Sequence, residues 1–174
     1  MNISNYIFIL FHSIKFIIFI RMDNIQTLIR RVVDEFVRIG IHSQCLLSSI
    51  ITHELLLHYG IENQIVNGFK LLNQNGYAQS HFWITSNGNN YDVCDLIKRQ
   101  VFHKYGCQTP KGFFDSTLVL SLPPNVERID IETKNEIAIH DELQKYFNLY
   151  LRNADLFWSN IPIMFHELRN KIMN

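Results

Sequence analysis

The chain has 174 residues, enough for one ordinary domain. Hydrophobic residues make up 47% of it and charged residues only 18%, so a sizeable core is expected rather than disorder. Basic and acidic side chains balance at sixteen each, which leaves no basic stripe and argues against nucleic acid as a partner. Three cysteines, an odd number without disulfide-like spacing, point to free thiols in a reducing, intracellular (cytoplasmic) compartment.

Residues 1–21 differ from the rest. Tyr6 to Ile20 is an apolar run broken by His12, Ser13 and Lys15. It falls short of the roughly 20 residues that a membrane span needs. It also lacks the positive start and small-residue cleavage site of a signal peptide. Three readings stay open: Met22 is the working start, the run is a membrane-interface anchor, or it is a packed extra helix. Membrane contact through residues 6–20 therefore remains an alternative, and residues 22–174 are taken as a single domain.

Asp23 to Ile39 reads as an amphipathic helix capped by Asp23, with Ile25, Leu28, Ile29, Val32, Val33, Phe36 and Val37 at helical spacing. Gly40 ends it. Ser43 is the expected N-cap of a second helix from Gln44 to about Tyr59, stopped by Gly60. Its wide apolar stripe, from Leu46 to Leu56, predicts burial. Ile65 to Leu72 reads as a strand. Ser80 to Ser86 and Asn90 to Asp95 are expected to pair across Asn87-Gly88, a strong two-residue hairpin signal. Thr117 to Leu122 reads as a further strand stopped by Pro123-Pro124. Helices are expected over 133–152 and 154–171, the latter kinked or broken at Pro162. The whole is an α+β chain with helices at both ends and an antiparallel sheet between.

Chemistry concentrates at three places. Cys45 falls in the first turn of the second helix, where unpaired backbone N–H groups and the helix dipole favour a thiolate. His81 lies on the Ser80–Ser86 strand. With a two-residue turn, strand alternation puts His81, Trp83, Asp92 and Cys94 on one face, with Asp92 opposite Trp83 and diagonal to His81. Asp95 falls on the other face, and a bulge in the turn would exchange the two carboxylates. Asp92 is preferred as the group that orients His81, with Asp95 as the alternative.

Other features are weaker. Cys94 is a rival nucleophile on the histidine's face, discounted because a mid-strand thiol lacks a helix terminus. Cys107 sits in a polar loop without a base. The remaining histidines make no zinc-like spacing with the cysteines. His53-Glu54 resembles part of a metalloprotease helix, but His58 stands one residue too far on.

Taken together, Cys45, the Leu46–Ile51 stretch, Gly60-Ile61, Ile65-Val66-Asn67-Gly68-Phe69, His81-Phe82-Trp83, Gly88 and Tyr91-Asp92 resemble the transglutaminase-like superfamily of cysteine enzymes. The resemblance covers roughly residues 40–97. It implies a papain-like α+β core with the nucleophile helix packed on an antiparallel sheet. It also implies Cys45 as nucleophile, His81 as general acid/base and Asp92 as orienting residue. The chemistry that goes with it is thiol-dependent acyl transfer at amide bonds of a peptide or protein substrate, by hydrolysis or to an amine, without metal or organic cofactor. The alternative from a different class is a catalytically inactive binding module on the same fold. Residues 126–174 lie beyond the resemblance and read as a helical part that covers the sheet.

Overall fold

A computed structural model describes residues 25–42, 44–71, 78–104, 118–119 and 131–174. The Tyr6–Ile20 run, Met22, Asp23, Ser43, Cys107 and the prolines at 123 and 124 lie outside the described residues. So does most of the strand expected over 117–122.

Helix α1 spans 25–38, and Ile25, Val32, Val33 and Phe36 are fully or almost fully buried along one stripe. Helix α2 spans Cys45–His58. It buries Leu46, Leu47, Ile50, Ile51, Leu55 and Leu56, and also Ser48, Ser49 and Thr52. Two of these polar side chains return to their own helix: the Ser48 hydroxyl donates to the Cys45 carbonyl and the Thr52 hydroxyl to the Ser48 carbonyl. A helix buried on nearly every side therefore holds Cys45 at its first residue.

Both helices end in the same device. Gly40 and Gly60 adopt left-handed φ values of 72° and 69°. Gly60 N–H donates to the Leu57 carbonyl and Ile61 N–H to the Leu56 carbonyl, while Gly40 and Ile41 repeat the pattern on Val37 and Phe36. This closes the last turn and drives the following isoleucine inward.

Strand β1 (Gln64–Leu71) pairs antiparallel with β2 (Ala78–Ser86) over their whole length, with Gly68 opposite His81. Strand β3 (Asn89–Tyr91) returns from β2 through Asn87 and Gly88, both at positive φ (50° and 75°), as a two-residue mirror-image turn requires. Ser86 pairs with Asn89, Thr85 with Asn90 and Ile84 with Tyr91, the register expected from the sequence. There the expectation fails. The strand read over Asn90–Asp95 stops at Tyr91, and helix α3 (Val93–Lys104) begins. Asp92 stands at its N-cap, and the Asp92 Oδ1 accepts from the Asp95 N–H at 3.0 Å. A short strand β4 (Leu118–Val119) adds to the far side of β1, giving the order β3-β2-β1-β4.

Helix α4 (Ile131–Arg152) lies against β2, where Phe147 meets Phe82 edge-on and the Glu136 carboxylate accepts from the Ser80 N–H. The expected break at Pro162 separates α5 (Ala154–Ser159) from α6 (Ile163–Met173). Both are tied to α2 through Glu54, which accepts from the Trp158 indole at 3.0 Å and from Arg169 at 2.5 Å, with the Arg169 guanidinium over the Trp158 ring. The chain is thus α+β. Among the described residues, no helix is long and apolar enough to cross a membrane.

Because α2 carries Cys45, its packing should govern the site. Ile51 is completely buried. Ile51→Ala should cost about 2–5 kcal/mol of unfolding free energy, read by urea denaturation with an unchanged slope. A loss below about 1 kcal/mol would mean that α2 is not held as described.

Candidate active site

The site forms where the N-terminus of α2, the middle of β2 and the β3–α3 junction meet. Gln44 occupies the N-cap position of α2, in place of the expected Ser43, and gives no side-chain cap. The first intrahelical bond runs from the Ser48 N–H to the Gln44 carbonyl, so the N–H groups of Cys45, Leu46 and Leu47 lack intrahelical acceptors. The first turn of a helix is where a thiolate or another anion is well received. Cys45 is half-buried and free.

His81 sits at the centre of β2 and is 2% exposed. Gly68 opposite it carries no side chain, so no side chain stands directly across β1 from the imidazole. Trp83, two residues on and on the same strand face, stacks alongside it with ring centroids 6.3 Å apart. His81 Nε2 lies 2.8 Å from Asp92 Oδ1. The separation is that of a charge-assisted contact between imidazole and carboxylate. Burial alone would lower the pKa of the imidazole. Hydrogen-bonding interaction with Asp92 and with the Cys45 thiol, and their charges, outweigh it and raise His81 to about 9. Asp92 shows the converse: burial pushes its carboxyl up, but His81 and Lys70 more than reverse this and hold it well below the usual range.

The structure therefore brings Cys45, His81 and Asp92 together. Asp92, not Asp95, meets the histidine, as preferred from the sequence, but not by the expected route. It is not paired with Trp83 in a strand ladder; it reaches His81 from the cap of α3. Asp95, three residues on, bonds Lys70 Nζ at 3.0 Å and Arg99 Nε at 3.0 Å.

Cys94 also changes its setting. It lies in the first turn of α3 rather than mid-strand, so the missing helix terminus no longer distinguishes it. Burial does: Cys94 is 1% exposed, and burial, with the charges of Cys45 and Asp92, pushes its thiol up to about 12.

Lys70 was not singled out from the sequence. It extends from β1 into this group, buried, with its ammonium 2.9 Å from Asp92 Oδ2. A lone lysine inside the Phe69-Lys70-Leu71 stretch, two residues from the glycine opposite His81, was the available signal. No family model, no curated protein and no solved structure matches the chain.

Proposed function

We propose that this chain is a thiol-dependent acyl-transfer enzyme of transglutaminase-like type, built on a papain-like core and acting on amide bonds of peptides or proteins. The observation that carries the reading is the sequence of contacts from the α2 N-terminus to His81 to Asp92, with His81 raised to about 9 by its two partners. Such a histidine is protonated at neutral pH and pairs with a thiolate.

The chemistry then runs in two halves. The Cys45 thiolate attacks the carbonyl carbon of the amide, and the carbonyl electron pair moves onto oxygen beside the N–H groups of the first turn of α2. As that oxyanion collapses, the C–N bond breaks and the His81 imidazolium gives its proton to the leaving amine. The product is a thioester on Cys45 and a neutral imidazole. Water or an amine next attacks the thioester; His81 takes the proton of the incoming group, and the thiolate is released. Water gives hydrolysis and an amine gives cross-linking. Asp92 holds the imidazole in one orientation throughout.

The alternative, a binding module that does not react, differs in its thiol chemistry. Limited iodoacetamide at neutral pH, followed by peptide mass spectrometry, should modify Cys45 well before Cys94 and Cys107. Incubation with a peptide library should leave an acyl adduct on Cys45 in the intact mass. Preferential labelling of Cys94 or Cys107, with no adduct, supports the binding module instead.

A further inference from the structure

A buried cation beside Asp92 is not used by the chemistry above. Lys70 Nζ lies 2.9 Å from Asp92 Oδ2 and 3.0 Å from Asp95 Oδ1, with its side chain 7% exposed. It reaches there from β1, on the same sheet face as His81: Gly68 pairs with His81, and Lys70 is the next residue on that face. A charge is taken out of water only where partners replace its hydration. Here the partners are the orienting carboxylate of the histidine and a second carboxylate that turns away to Arg99.

The oxygens of Asp92 are divided accordingly. Oδ1 faces His81 and accepts from the Asp95 N–H, and Oδ2 faces Lys70. Without the ammonium, two carboxylates three residues apart would repel each other, and the one at the helix cap would be free to turn about its side-chain torsions. We propose that Lys70 is a positioning residue of the acyl-transfer site: it parts Asp92 from Asp95 and commits Asp92 to His81. This rests on the enzymatic reading above.

The sign of one measurement separates position from charge. Removing a cation near an imidazolium favours the imidazolium, so charge alone would move the His81 midpoint up from about 9. Loss of the fixed Asp92 contact moves it down. The test is Lys70→Met, whose apolar chain suits a buried site, beside Lys70→Arg, which keeps the charge. The measurements are the His81 midpoint, by NMR of ring-labelled histidine, and the rate of Cys45 alkylation by iodoacetamide against pH. K70M should lower the midpoint and slow alkylation at neutral pH by about tenfold or more, the scale that loss of a hydrogen-bonded supporting residue has at metal sites. K70R should restore much of both.

An unchanged or raised midpoint in folded K70M overturns the proposal. Where K70M does not fold, Lys70→Gln, which keeps a donor, carries the same test. If neither folds while K70R is normal, Lys70 serves stability alone and the proposal is overturned too. The wild type and His81→Ala serve as the reference pair. If those two alkylate alike, the enzymatic reading itself fails; if they differ and K70M matches wild type, only the role of Lys70 falls.

Discussion

His81→Ala should slow the alkylation of Cys45 at neutral pH by at least about tenfold and any acyl-transfer turnover by about 10²–10⁴-fold, the usual contribution of a positioned acid–base group. In the proposed reaction two features act on a thiolate at Cys45, the N–H groups of the first turn of α2 and the protonated imidazole. The first survives the substitution and the second does not, so reactivity should fall without vanishing. Folding should persist, because Asp92 keeps its ion pair with Lys70 and its cap bond to the Asp95 N–H. Far-UV circular dichroism and a thermal melt check this beside the alkylation rate. Reactivity equal to wild type in a folded variant would show that His81 is a satisfied core histidine and no partner of Cys45. Unfolding would assign it to the core as well.

Much of the frame could be read from residues whose physics is local. Gly40 and Gly60 stop helices because only a left-handed residue closes the last turn there, and Asn87-Gly88 sets the hairpin register because both positions need positive φ. The burial of α2 followed from an apolar pattern too wide for a surface helix. What escaped was decided by competition. Asn90 to Asp95 alternates like a strand, but Asp92 is also a good helix cap with Asp95 three residues on, and Leu96, Ile97 and Val101 follow at helical spacing. The cap won, since Val93, Cys94 and Ile97 are buried by the helix. Asp92 was thus identified through a strand parity that does not exist.

Lys70 escaped for a different reason. A lysine in an apolar strand is ordinarily an edge charge in water, and its partners lie on a helix start far along the chain. Only the tertiary fold brings them together.

Asp92→Asn should separate the role of the charge from that of the cap. Asparagine caps a helix as well as aspartate does, so α3 should keep its start. What is lost is the negative charge beside His81. With burial no longer outweighed by Asp92, the imidazole should fall from about 9 toward or below its ordinary 6.5. The consequence for stability has a definite direction. A raised histidine contributes fully below its unfolded value of 6.5 and loses that contribution as pH rises through about 9. A depressed carboxyl contributes above its unfolded 3.8 and loses it as pH falls. The pair is therefore worth most between these unfolded values, on the order of 3 kcal/mol, part of it owed to Cys45. Urea unfolding of wild type and D92N at several pH values should show their gap widest near pH 5 to 6 and narrowing toward pH 9. Asp95→Asn, whose carboxylate meets Lys70 and Arg99 but not His81, should leave the alkaline part of the profile in place and slow Cys45 alkylation far less. A larger effect from D95N, or a D92N gap that does not change with pH, would mean that His81 takes its charge from another group.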